Sequence, residues 1–147
     1  MHLLEHLKHE HEQVKAVLGR LADTTARASK GRHSGMNELR KLLMPHMDAE
    51  EQVFYPALIE LGQTELAYSA MEEHRAARTV LEDLQSLDVS DERWHAYLKV
   101  LSELLTHHIA QEEQDVFDAV RKEMDDHQQD ELGQMIMNRE KLVKQSL

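Results

Sequence analysis

The chain has 147 residues, no cysteine, and a net charge of -11 from 17 Lys and Arg against 28 Asp and Glu. This length suits one domain with a sizeable core, the lack of cysteine excludes thiolate sites and thiol nucleophiles, and the negative charge argues against nucleic acid or an anionic membrane as a partner. With only 5 Gly, 2 Pro and 4% aromatic residues, the composition favours an all-α fold.

No stretch of the chain approaches the roughly 18 apolar residues of a membrane span. The first residues, Met1 to His6, also lack the basic start and apolar run of a secretory signal. We therefore expect a cytoplasmic protein that does not contact a membrane.

Five helices are predicted in chain order, separated by breaks where Gly, Ser and Asp collect. Their approximate bounds, each uncertain by about 2–4 residues, are 2–28, 36–61, 64–87, 91–124 and 129–145. The break at 29–35 separates the first two helices, Gly62 is expected to end the second, and Ser90 is expected to cap the fourth. Short connections between long helices predict a single domain, an up-down-up-down four-helix bundle over about 2–124 with the C-terminal helix lying against it.

Apolar residues recur at steps of three and four and define the buried face of each helix. Each of the four bundle helices places one histidine on that face, and the second and fourth helices add a glutamate one turn later. The chain therefore looks like two repeats of a two-helix unit, and the residues on these faces are His11, His46 with Glu50, His74, and His108 with Glu112. Beyond the glutamates, we expect the buried faces to continue through Val53 and Ala57, and through Asp115 and Ala119.

Six ionisable groups inside a bundle are costly to desolvate unless they satisfy one another or bind metal. Imidazole and carboxylate donors without sulfur suit iron, manganese or zinc, and two carboxylates can bridge a pair of ions. A binuclear site uses every group if two histidines serve each ion and the glutamates lie between the ions. The predicted arrangement places His11 and His46 on one ion, His74 and His108 on the other, and Glu50 and Glu112 between them.

These motifs, together with Glu10 before His11, Glu73 before His74 and the run Phe54-Tyr55-Pro56, resemble the hemerythrin-like, or HHE cation-binding, family over nearly the whole chain. The resemblance implies a four-helix bundle around a non-haem di-iron centre. The implied cofactor is two iron ions bridged by carboxylates, and we expect an oxo or hydroxo bridge as well.

One departure from the family pattern bears on activity. Oxygen-carrying hemerythrins have two histidines four residues apart in the third helix, whereas Ala70 and Arg78 flank His74 here. The second ion then lacks one protein nitrogen and carries solvent or an open position. The resemblance is therefore to members associated with peroxide, nitric oxide or iron handling rather than to a reversible oxygen carrier.

The favoured hypothesis is a di-iron protein that binds or reduces a small ligand, namely dioxygen, peroxide or nitric oxide. The alternative is an iron storage, donation or sensing protein without catalytic turnover. A ferritin-like oxidase ranks below both, because those bundles use Glu-x-x-His, whereas histidine precedes glutamate by four residues here.

Several other polar residues have a simpler interpretation as surface residues. Glu51 and Glu113 are expected on the outer face or as supporting acids, and Asp115 is able to orient a histidine. Three tyrosines are candidates to line the site or a channel, and the sequence does not choose among Tyr55, Tyr68 and Tyr97. The fifth helix has an amphipathic face that either caps the bundle or joins a second copy of the chain in a homodimer. His107 is ranked below His108 as a ligand, because the residue four positions after it is Gln111 rather than a carboxylate. The histidines expected at the surface are His2, His6, His9, His33, His95 and His127.

Overall fold

The computed structural model describes residues 2–147, and every regular element in this range is helical. The seven α-helices and two π-helical turns are α1 (Leu3–Ala22), α2 (Ser29–Ala49), π1 (Glu50–Phe54), α3 (Tyr55–Glu60), α4 (Thr64–Ser86), α5 (Trp94–Gln111), π2 (Glu112–Val116), α6 (Phe117–Glu123) and α7 (Asp126–Gln145). None of these described helices is long and apolar enough to cross a lipid bilayer.

The elements combine into five rods, because α2, π1 and α3 follow one another without a break, as do α5, π2 and α6. Neighbouring rods of the bundle pack side by side: α1 with α2, α3 with α4, α4 with α5, and α5 with α1. The fifth rod, α7, packs against α1, α2 and π1. The expected all-α bundle with an added C-terminal helix is confirmed, and α7 covers only one side of it.

The first predicted break is wrong in position. Helix α1 ends at Ala22, and α2 already begins at Ser29, so the connection precedes the glycines that were taken as the break. Gly35 lies inside α2, at a position where a Cβ atom would meet Leu21 Cδ2 at 2.5 Å. This glycine serves the close approach of two helices rather than a turn.

The other boundaries are only partly as predicted. Gly62, with φ of 85°, ends the second rod as expected. Ser90 does not cap the fourth rod, because its backbone N–H donates to the Asp88 carboxylate and α5 begins only at Trp94. Helix α7 begins earlier than expected, at Asp126, because Asp125 and Gln128 cap each other reciprocally.

The π turns change which residues face the bundle interior. After Glu50 the buried face passes to Phe54, Tyr55 and Leu58, whereas the predicted Val53 and Ala57 are only half-buried. A π turn accommodates one extra residue, so a residue five positions on returns to the same face. For the same reason, Asp115 after Glu112 is exposed rather than on the buried face.

Two apolar clusters fill the bundle on either side of the ionisable residues. One contains Leu18, Leu39, Leu81 and Trp94, near the connections between α1 and α2 and between α4 and α5. The other contains Leu7, Phe54, Leu58, Phe117 and Ile136. The polar groups between them are thereby removed from bulk water.

Candidate metal centre

The structure brings the six sequence-predicted residues together inside the bundle. Four rods contribute them: α1 gives one histidine, α2 with π1 a histidine and a glutamate, α4 one histidine, and α5 with π2 a histidine and a glutamate. All six side chains are buried, and they are His11, His46, Glu50, His74, His108 and Glu112. Each glutamate is the first residue of its π turn.

The six residues form two overlapping groups whose donor atoms lie within 4.8 Å of one another. We call His11 and His46 the first half-site, and His74 and His108 the second half-site. Glu50 and Glu112 belong to both groups. This partition is the one that the sequence predicts for two cations.

The shared carboxylates contact imidazoles from both half-sites. Glu50 Oε1 lies 3.0 Å from His46 Nε2 and 3.2 Å from His74 Nε2. Glu112 Oε1 lies 3.4 Å from His11 Nε2, and its other oxygen lies 3.3 Å from His108 Nε2. Both glutamates are therefore positioned to join two ions.

Several of these close atoms have no hydrogen-bond partner. They include both carboxylate oxygens of Glu50, one oxygen of Glu112 and Nε2 of His11. Buried polar atoms without a partner are rare and call for an explanation. Ligands about 2.0–2.2 Å from one first-row ion lie roughly 3 Å apart, so the donor set fits a cation at the centre of each group.

Four further glutamates hold the outer nitrogens of the imidazoles. Each histidine donates its Nδ1 hydrogen to one of them at 2.8 Å, which turns Nε2 inward. The pairs are His11 with Glu113, His46 with Glu10, His74 with Glu51, and His108 with Glu73. Sequence reasoning gave Glu10 and Glu73 no role, although both directly precede a site histidine.

The carboxylates also set the protonation of the metal-free site. Burial by itself lowers the pKa of His46, but Glu50 and Glu10 raise it well above 6.5. Burial likewise opposes protonation of His108, yet Glu112 and Glu73 raise its pKa to about 10. Burial raises the pKa of Glu112, but Glu50, His108 and His11 hold it well below 4.5. Protonated imidazoles thus supply positive charge to the buried glutamates.

Tyr55 is a site residue that the sequence did not assign. Its hydroxyl donates to Glu112 Oε2 at 2.7 Å and lies 3.1 Å from His74 Nε2, in the second half-site. Tyr55 follows Glu50 by five residues, and π1 brings both side chains to the interior. The corresponding residue after Glu112 is Phe117, whose ring stacks on His11 at 6.2 Å.

The structure assigns different surroundings to three other residues. Arg78 does not enter the centre, but donates to Glu51 at 2.7 and 2.9 Å and so supports the carboxylate that holds His74. His107 is exposed, and His108 is the histidine of this pair that enters the centre. The expectation that His6 is solvated is wrong, because its side chain is only 15% exposed and its Nε2 lies 2.7 Å from Glu140 of α7.

Two cavities border the centre. A polar cavity of about 750 Å³ is lined by residues that include Glu73, His108 and Glu112, so the second half-site borders it. A void of about 10 Å³ lies among the four histidines and apolar side chains such as Leu43 and Ile109. That void is about the size of one water molecule.

Comparison with known proteins identifies the family. No curated protein matches the chain. A solved structure of a hemerythrin HHE cation binding domain-containing protein from Mycobacterium kansasii is similar, with 26% identity and a TM-score of 0.87 over 99% of this chain and 89% of that one. The model of the hemerythrin HHE cation binding domain matches residues 2–120. The chain therefore belongs to the hemerythrin HHE cation-binding domain family.

Proposed function

We propose that the protein holds two metal ions between its four bundle rods. The observation that carries this proposal is the set of buried Nε2 and carboxylate atoms 3.0–3.4 Å apart, several of them without hydrogen-bond partners. His11 and His46 would bind one ion, and His74 and His108 the other. Glu50 and Glu112 would be shared by both.

The metal that we propose is iron, as a di-iron centre. Nitrogen and oxygen donors without sulfur are compatible with it, and its redox chemistry separates it from zinc. When bound, a pair of iron ions supplies electrons and open coordination positions for a small ligand. Membership of the HHE family supports a cation at this place in the fold.

The proposed ligand is dioxygen, peroxide or nitric oxide. The small void beside the four histidines admits only a very small molecule. The polar cavity next to His108 provides a route from solvent to the second half-site. Larger molecules do not fit into the void among the four imidazoles.

Tyr55 and Arg78 favour a reaction over simple carriage. The Tyr55 hydroxyl holds a proton at Glu112 Oε2 and is placed to transfer it to a ligand in the second half-site. Position 78 supplies no further metal ligand, because it holds an arginine whose guanidinium stays protonated and pairs with Glu51. We infer an oxidoreductase that consumes peroxide or nitric oxide.

The proposal is tested by metal analysis and rapid mixing. Purified protein should hold two equivalents of iron in this centre, and reduced protein mixed with peroxide should be oxidised and, when an excess of an external reductant is supplied, should turn over. His127→Ala is the control, because this exposed histidine of α7 lies outside the centre and should leave both results unchanged. If the protein retained iron but showed no turnover, the result would favour iron storage or sensing over a catalysed reaction. A chain that binds no metal would overturn the proposal.

A further inference from the structure

A second cluster of metal-binding residue types lies between α1 and α7. Donor atoms of His6, Glu10 and Glu140 lie within 4.8 Å of one another. His6 Nε2 lies 2.7 Å from Glu140 Oε1 and 3.4 Å from Glu10 Oε2. His6 and Glu10 have the spacing of His46 with Glu50, so α1 presents another His-x-x-x-Glu pair on one face.

Glu140 gives an independent reason to expect a ligand in this cluster. Its side chain is 3% exposed, and its Oε2 has no hydrogen-bond partner. A carboxylate oxygen that is buried without a donor is destabilising unless a cation or proton satisfies it.

Glu10 can serve the cluster without leaving the binuclear centre. Its Oε1 accepts from His46 Nδ1 at 2.8 Å, whereas Oε2 is the oxygen that faces His6. His6 and Glu10 are 15% and 14% exposed, so a hydrated ion can reach them from the surface. The two carboxylates together outweigh the single charge that His6 carries when protonated.

We propose that His6, Glu10 and Glu140 form a third, mononuclear site for a divalent first-row cation. One nitrogen and two carboxylate oxygens suit Mn²⁺, Fe²⁺ or Zn²⁺, with water completing the coordination. The donor separations of 2.7 and 3.4 Å bracket the roughly 3 Å expected between ligands of one such ion. A cation there ties α7 to α1.

Counting bound Mn²⁺ and Zn²⁺ by native mass spectrometry and equilibrium dialysis tests this site. The full chain should bind three equivalents, and Glu140→Gln and His6→Gln should each bind two, with affinity at the third site reduced at least tenfold. His9→Gln alters an exposed histidine of the same helix and should retain three equivalents. Arg139→Gln removes the contact of α7 with Asp48 but leaves the cluster intact, so it should also retain three.

A further variant separates this site from the binuclear centre. Glu50→Ala combined with Glu112→Ala removes both shared carboxylates and should leave one equivalent, which His6→Gln then abolishes. Circular dichroism of each variant shows whether the helices are retained. The third site would be overturned if the unaltered chain bound two equivalents and both single variants also bound two. It would equally be overturned if the unaltered chain and both single variants all bound three. If the unaltered chain bound only one equivalent and Glu140→Gln bound none, the result would support the third site and contradict the binuclear proposal.

Discussion

The two half-sites are built from equivalent residues of two repeats. His74 and His108 follow His11 and His46 by 63 and 62 residues, and each histidine has a glutamate at its Nδ1. Their surroundings differ, however. The elements that carry the first half-site are covered by α7, whereas the second half-site borders a cavity of about 750 Å³.

The residue after each π turn differs as well. Tyr55 places a hydroxyl in the second half-site, and Phe117 places an apolar ring against His11 in the first. Equivalent donor atoms would thus hold the two proposed ions. The residues around each half-site determine which ion is accessible to solvent and lies near a proton donor. On the proposed function, both halves bind metal and the second half is the reactive one.

The largest expected effect comes from removing a residue that both halves share. Measured in a His6→Gln background, which lacks the proposed third site, Glu112→Ala should reduce bound metal from two equivalents to below one, because Glu112 contacts both His11 and His108. His11→Ala should lose only the ion of the first half and retain about one equivalent. Elemental analysis after loading measures both results.

Asp115→Asn is the control for this loss, because Asp115 lies near Glu112 in sequence but is exposed. It should retain two equivalents. If Glu112→Ala also retained two equivalents, the Glu112 carboxylate would not be shared by the two ions. The half-sites would then bind metal independently of each other.

The next effect concerns pH and is common to both halves. In metal-free protein the pKa of His108 is raised to about 10, and that of His46 is also raised. A histidine whose folded pKa exceeds its unfolded value of about 6.5 stabilises the fold fully below that value and loses this contribution as pH rises through the folded pKa. The free energy of unfolding of metal-free protein should therefore fall between about pH 6.5 and 10.

Urea unfolding at several pH values measures this dependence. Metal-loaded protein should not show the fall, because the cations replace the imidazole protons. Metal-free stability that stayed level or rose over this range would contradict the assignment of protons to His46 and His108.

The bundle was predictable because its helices are long and its apolar periodicity is regular. The boundaries were less accurate, since Gly35 was interpreted as a break although it allows Leu21 to approach α2. The π turns had no usable sequence signal. Pro56 follows π1, but the equivalent residue after π2 is Asp118, so proline does not explain both turns.

The six central residues could be predicted because i and i+4 spacing places them on one helical face. Tyr55 could not, because an α-helical period directs a residue five positions after Glu50 away from that face. His6 was missed for another reason: its partner Glu140 lies 134 residues away, on a helix whose docking side the sequence left open. Only the packed structure joins such residues.

A smaller effect is expected from the acids that hold Nδ1. Glu113→Gln and Glu73→Gln are matched, because these half-buried acids each serve one histidine, His11 in the first half and His108 in the second. Loss of such a contact typically weakens metal binding by about 10–100-fold. Each variant should therefore lower the affinity for the ion in its own half-site by that factor.

Release into a chelator distinguishes the two halves. Glu73→Gln should accelerate metal loss more than Glu113→Gln, because His108 borders the cavity. Equal acceleration would show that exposure to the cavity does not govern exchange. Glu123→Gln, an exposed acid at the end of α6, provides the control and should leave release unchanged.

Exchanging the aromatic residues Tyr55 and Phe117 should have the smallest effect on metal content. It should have the clearest effect on the rate of peroxide consumption. Tyr55→Phe should keep both ions, since no metal ligand in the proposed set is lost, yet it removes the proton held at Glu112 Oε2. The rate of peroxide consumption should fall, and its pH profile should change. In metal-free protein the buried Glu112 oxygen loses its donor, which costs about 1–3 kcal/mol in unfolding free energy.

Phe117→Tyr makes the reverse change beside His11, in the half covered by α7. Because that half does not border the large cavity, the added hydroxyl should not restore the rate in a Tyr55→Phe background. Stopped-flow mixing with peroxide compares the four proteins at equal metal content. Full restoration by Phe117→Tyr would mean that the halves are interchangeable in reactivity, and that the position of the hydroxyl relative to the cavity has no role.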